Sequence, residues 1–377
     1  MLVLGSLLNN KVNAQTSTIN VVTTAVPFLR ISPDARAGGM ADAGIATSSD
    51  AYNSYWNIAK TPFSTTQASL GATYTPWLED LGLNDVDMIT LAGYDKLNEE
   101  EGISGSLRYF SLGNVQFTDQ SGNSAGSYRP RELAVDGAYS RKLSDKLAVG
   151  IGLRYISSNL TGSTTINGVT YKTATAFAGD VHLFHDGRKE SGEGLTYGVT
   201  LTNLGSKISY TSDATEKDYI PANLGIGVAY TKAYDVDNKV TFTINLNKLL
   251  VPVPPDANDT PGLTKYHTES VVSSWFNSFS APGGFTEELD QVDVSGGIEY
   301  WYQNQFAFRA GYFYENPNEG DRQYFTLGAG LKYNTFGLDF SYLLPSGNGV
   351  TRNPLSNTLR FSLIFDFDKD NTSTTTK

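Results

Sequence analysis

The chain has no cysteine, only three histidines and three methionines in 377 residues. Without cysteine there is no disulfide, no thiolate metal site, no thiol nucleophile and no acylated lipoprotein anchor. The histidines leave little room for acid–base or metal chemistry. His182 and His185 are three apart, so on a strand they face opposite ways, and His267 falls in a long polar loop. A Gly-x-Ser-x-Gly elbow and a phosphate loop are also missing. "NEEE" at 98–101 reads as a solvated charge run in a turn, and "DANDT" at 256–260 offers weak calcium ligands at most. No catalytic, cofactor or metal site is expected, and the chain does not read as an enzyme.

Cations are in deficit, 28 Lys and Arg against 39 Asp and Glu, which argues against a nucleic-acid partner. Beyond the first residues no apolar run approaches the ~18 residues of a membrane-spanning helix. That does not exclude a membrane protein, because transmembrane strands hide their signal in alternation. The opening "MLVLGSLLNNKVNAQ" reads as an export signal, with Val12-Asn13-Ala14 before the cut and a mature chain beginning at Gln15.

What is present in quantity is glycine (37), tyrosine (22), phenylalanine (19) and a period of two. In "KLAVGIGLRYI", Leu147, Val149, Ile151, Leu153 and Tyr155 share one face; Ala148, Gly150, Gly152 and Arg154 share the other. "QFAFRAGYFY", "YFTLGAGLKY", "FGLDFSYLL" and "TLRFSLIFDF" repeat the pattern. About fourteen such segments lie between residues 67 and 367, each near the length that crosses a bilayer at a barrel tilt. Their connections are sorted: tight at 141–145, 234–238, 302–305 and 333–336, long and polar at 113–129, 159–172, 205–220, 251–290 and 346–356. Short turns on one side and long loops on the other are the outer-membrane pattern. Tyrosine and tryptophan recur near strand ends, as at the headgroup level of a membrane.

The fold class expected is therefore all-β: a transmembrane antiparallel β-barrel of about fourteen strands with a short N-terminal helical plug in its lumen. The expected organisation is a signal peptide over 1–14, the N-terminal segment and plug over 15–66, the barrel over 67–367, and a disordered polar tail over 368–377. Charges on the polar faces would point inward and pair into a network of Arg108, Asp136, Arg154, Glu299, Arg309, Lys332, Asp339 and Arg360. In the loop from Val251, "VPVPP" is stiff and extended. Val271, Val272, Trp275, Phe276 and Phe279 fit one short amphipathic helix beyond it. Long loops tend to be functional, so these residues are candidates for a protein contact, for a lumen plug, or for packing on the barrel's own rim.

One stretch breaks the alternation: "ARAGGMADAGIATSSDAYNSYWN", Ala35 to Asn57. Its small residues permit close backbone approach. Glycine weakens a helix by ~1 kcal/mol, so Gly38, Gly39 and Gly44 suit a segment wedged in a confined space better than a free helix. Met40, Tyr55, Trp56 and Asn57 complete the expected plug, with the aromatics anchoring its exit to the first strand. The stretch resembles the N-terminal signature of the FadL-like outer-membrane family: "Gly-Met-Ala-x-Ala-Gly" at 39–44, Asp50-Ala51, Tyr55, then Trp56-Asn57-Ile58-Ala59 where the family usually has Asn-Pro-Ala. Together with "PFLRISPDARAGGMADAG", it is most similar to the branch of that family that serves type IX protein secretion. The resemblance implies a barrel with no cofactor that sits in the outer membrane and binds exported cargo through its C-terminal signal domain. It implies receipt from a giant translocon barrel (SprA or Sov) and delivery to the surface attachment complex. A channel for hydrophobic small molecules is the alternative within the family.

Overall fold

The computed structural model describes residues 21–78, 82–118, 122, 124–162, 164–166, 169–212, 217–256, 258–281, 283–345 and 357–368. The expected signal peptide, most of the expected tail and the loop at 346–356 lie outside these residues.

Fourteen long strands close on themselves. In chain order the strands are β1 (Ala68–Pro76), β2 (Val86–Lys96), β3 (Glu101–Leu112), β4 (Val115–Thr118), β5 (Ser124–Tyr128), β6 (Arg131–Ser144), β7 (Leu147–Asn159), β8 (Thr165–Ile166) and β9 (Val169–Thr170). They continue as β10 (Ala174–Asp186), β11 (Gly194–Gly205), β12 (Asn223–Ala233), β13 (Asn238–Leu249), β14 (Val292–Tyr302), β15 (Phe306–Tyr314), β16 (Gln323–Tyr333), β17 (Phe336–Pro345) and β18 (Leu359–Phe367). The short pairs β4–β5 and β8–β9 are hairpins inside long loops; the others form the barrel. Every neighbouring pair is antiparallel, and β1 meets β18 from Ala68↔Phe367 to Tyr74↔Phe361. Closure leaves no sheet edge, so no row of backbone donors faces lipid.

The wall is inside-out. Outward positions are apolar and exposed, with Leu153 at 76% and Phe177 at 68%, while the inward neighbours Arg154, Ser158 and Asp180 are buried. A soluble sandwich would reverse this. Here apolar side chains face hydrocarbon and polar ones are paired within. The turns at 97–100, 145–146, 187–193, 234–237, 303–305 and 334–335 all lie at one end, with the long loops at the other. In the three-residue connection 303–305, Gln303 and Asn304 both adopt positive φ (53° and 51°) as the central residues of a tight turn closed by the Gln305 N–H to the Tyr302 carbonyl. Among the described residues no helix is long and apolar enough to cross a membrane.

Candidate functional site

The lumen is built by the barrel's inward faces and by the chain that precedes β1. That chain forms 3-10 turns at Pro27–Arg30 and Ile58–Phe63 and two one-turn helices, α1 (Ala35–Gly38) and α2 (Asn53–Trp56). Asp34 caps α1, accepting from the Ala37 N–H at 2.7 Å and from the Trp56 indole N–H at 2.6 Å. One carboxylate thus ties both helices together. Contacts with the wall run right round it. The Ala35 N–H donates to Ser362 on β18 (2.9 Å), Ala41 to Thr326 on β16 (2.9 Å) and Ile58 to the His182 Nδ1 on β10 (2.8 Å). The Tyr52 hydroxyl meets Thr73 on β1 (2.7 Å), and Thr196 on β11 donates to the Ala46 carbonyl (2.7 Å).

The small residues matter where backbones touch. A Cβ on Gly39 would lie 3.0 Å from the Gly328 Cα, and one on Gly44 would lie 2.3 Å from the Trp56 ring. Gly38 sits against Arg360, and Met40, fully buried, against Gly297 and Gly311. Tyr55 packs edge-on to Trp56 and beneath the Arg108 guanidinium at 5.0 Å. Asn57 donates to the Leu183 carbonyl at 3.1 Å and accepts from the Ala59 N–H.

The inward charges form separate groups. In one, Arg154 bridges Asp136 and Asp180 (2.9 Å to Asp180) and donates to Asn203, with Arg108 3.6 Å from Asp136. In another, Glu299 accepts two bonds from Arg36 (2.9 and 2.8 Å) and one from Arg309 (2.8 Å), and Arg309 reaches Asp339 at 2.6 Å. Arg36 also holds Asp50 at 3.0 Å and the Ser48 carbonyl at 3.1 Å. Arg360 faces Asp42 at 3.4 Å, and Lys332 pairs with Asp366 near the short-turn mouth. Three members, Arg36, Asp42 and Asp50, come from the N-terminal segment. Sequence reading left Arg36 and Asp34 out of the site, although both lie in the quoted "PDARAGG". Arg36 meets Glu299, 263 residues away, and Asp34 meets Trp56, 22 residues away, so neither role shows in the local pattern.

Two cavities flank the segment. One of about 480 Å³ lies at the short-turn end, lined by Arg36, Asp50, Arg188, Trp301, Arg309 and Lys332 among others. The other, about 110 Å³, lies between Arg30, Tyr55, Arg154, Asn203 and Tyr324. An apolar patch occupies the long-loop half of the lumen, where Val26, Phe28 and Leu29 pack on Val86, Met88, Phe110, Ile156, Ile208 and Ile220. The ladder has a bulge where Thr202 and Asn203 of β11 stand opposite Asp180 of β10, but pairing continues on both sides of it.

At the long-loop end, the connection between β13 and β14 carries three helices among its described residues, α3 (Thr260–Thr268), α4 (Val271–Asn277) and α5 (Phe285–Asp290). Lys207 fastens α3 to the 206–222 loop by donating to the Tyr266 and His267 carbonyls, each at 2.9 Å. The candidate helix is α4, with Phe279 two residues past its end. Val272 (57%), Phe276 (74%) and Phe279 (50%) stay exposed, Val271 and Trp275 are half-buried, and Ser274 and Ser278 are the buried positions. The packed side of α4 carries Val271, Ser274, Trp275 and Ser278, while Val272 and Phe276 on the other side are bare. Asp259 of "DANDT" caps α3 through the Gly262 N–H.

At the rim, burial and the nearby Glu287 push the Glu319 carboxyl up to about 7. An acid raised this way favours the folded rim at low pH; the contribution fades as pH climbs from the ordinary carboxylate range through 7. Protection factors over 315–322, corrected for the intrinsic pH dependence of amide exchange, are therefore expected to be higher at pH 5 than at pH 8, and Glu319→Gln should remove the difference. Equal protection factors at both pH values in the unsubstituted chain would contradict this.

A family model described as "Type IX secretion system protein PorV" matches residues 13–256. The chain belongs to the PorV family. This PorV-family chain is an outer-membrane component of type IX secretion, and its barrel is FadL-like. Among solved structures it is similar to the toluene transporter TbuX of Ralstonia pickettii, at TM-score 0.52 and 13% identity, covering 89% of this chain and 98% of that one. It is equally similar to the monoaromatic hydrocarbon channel CymD, at TM-score 0.52 and 12% identity, with 89% and 98% covered. At such identity these likenesses concern the fold. No curated protein sequence matches the chain.

Proposed function

We propose that this PorV-family barrel binds exported polypeptides by their C-terminal signal domain at its long-loop face. It takes them from the giant translocon barrel (SprA or Sov) and passes them to the surface attachment complex. We further propose that the N-terminal segment is a plug that closes the lumen, leaving transport to the outer surface. The observation that carries the reading is PorV-family membership over 244 residues, 13–256. The exposed Val272, Phe276 and Phe279 at α4 support it, because exposed aromatics clustered on a loop favour protein contact. No catalytic role is proposed.

The second reading, a channel for hydrophobic small molecules, has the apolar patch in the long-loop half of the lumen in its favour. Against it stand the ion-paired lumen and a strand ladder that closes all the way round. Affinity purification from native outer membranes separates the two. Recovery of a much larger barrel protein together with exported cargo is expected, and Phe276→Ser with Phe279→Ser should lower cargo recovery at least tenfold. Recovery of the chain alone with a bound apolar small molecule would favour the channel.

A further inference from the structure

The N-terminal segment has a direction. At its far end, Thr61 lies against Gly102, Phe63 sits 4.9 Å from the Lys142 ammonium, and the Ser64 carbonyl accepts from Lys96, all near the short turns. At its near end, Val22 borders a hollow with Leu249, Gln291, Glu315 and Glu319, and the Ala25 N–H donates to the Tyr219 carbonyl at 2.9 Å. Those groups belong to the long-loop rim. The chain therefore enters the lumen from the long-loop mouth and runs through it to β1.

Two features mark the entry. Val26 has φ of 49°, a left-handed conformation rarely adopted by a β-branched residue, and the next residues dive into the apolar patch. Strain of this kind persists where surrounding contacts over-determine the backbone, and it concentrates at functional joints. Ahead of that joint, Val21, Val22, Thr23 and Thr24 are four β-branched residues in a row, outside any helix or ladder. Among the described residues none of their backbone N–H or C=O groups bonds to another backbone group. A β-branched run prefers extended backbone, and free backbone groups on such a run are a template for strand addition.

We propose that Val21–Thr24 is a pairing edge at the outer mouth, onto which an extended segment of an exported polypeptide adds as a strand. The proposal rests on the cargo-binding reading above. The joint at Val26 fixes the edge relative to the barrel, and the Ala25–Tyr219 bond holds it against the 206–222 loop. Pairing would supply backbone partners to groups that have none among the described residues, while the loop aromatics add side-chain contacts beside it.

The absence of cysteine makes the location directly testable. Thr23→Cys in the full chain should react with a membrane-impermeant maleimide on intact cells; a control, Asn304→Cys in a short turn, should react only after lysis. Labelling of Thr23→Cys only after lysis overturns the proposal. For the pairing, the probe is the purified C-terminal domain of an exported protein, added to the detergent-solubilised chain. Amides at 21–24 should gain at least tenfold protection from exchange. Val22→Pro with Thr24→Pro should weaken binding at least tenfold, whereas Val22→Thr with Thr24→Val should leave it unchanged, all variants keeping heat-modifiable migration. Binding that protects the loops but leaves 21–24 unprotected sinks the edge and spares the cargo reading. No binding by the unsubstituted chain sinks both.

Discussion

In planar bilayers, the chain lacking Ala35–Asn57 is expected to conduct ions through a steady pore, while the full chain stays closed. The deleted stretch contributes Arg36, with two bonds to Glu299 and one to Asp50, and the Gly39 backbone packed on Gly328. Removing the stretch joins the two cavities into one aqueous path lined by Arg154, Glu299, Arg309 and Asp339. A narrower substitution should give a smaller effect in the same direction. Arg36→Ala removes the cation that ties the segment to β14 and should produce brief openings rather than a steady pore. Unchanged conductance in the deletion would contradict the plug.

Arg154→Ala is expected to be among the most destabilising single substitutions in the barrel. The guanidinium is 3% exposed and stands between Asp136 and Asp180, both nearly fully buried. Removing it leaves two carboxylates in the lumen with Arg108 3.6 Å from one of them as the remaining cation. Breaking a buried pair from one side costs ~3–5 kcal/mol, mostly because the partner's charge is stranded. The substitution should lower the temperature at which the compact gel band converts to the slow one, and should reduce the yield of inserted barrel. Arg154→Ala with Asp136→Asn and Asp180→Asn should recover much of the loss, since the stranded charges go with it. A single variant as heat-resistant as the parent would show that water solvates this part of the lumen.

Strand positions were legible in the sequence to within about three residues. "KLAVGIGLRYI" shows why: each strand must be apolar outside and polar or small inside, so the period of two is written locally and repeats fourteen times. Loop sorting was equally legible, because turn length is a property of the chain between two strands. The site was legible only in part. Glycine at 38, 39 and 44 announced close packing, yet nothing local shows that Gly39 meets Gly328 or that Trp56 bonds to Asp34. The α4 helix was visible in its residues, but the exposure of Phe276 and the burial of Ser274 were not.

By itself, then, the sequence determined a closed outer-membrane wall: which segments span, which face meets lipid, and which end carries the long loops. Tertiary structure alone decided how the charges divide into groups, because Arg36 and Glu299 are 263 residues apart and meet only when the barrel closes around the segment. It also decided the direction in which the N-terminal segment runs through the lumen. Local pattern fixes the environment of a side chain, whereas pairing across the lumen depends on closure and register, which no single segment encodes.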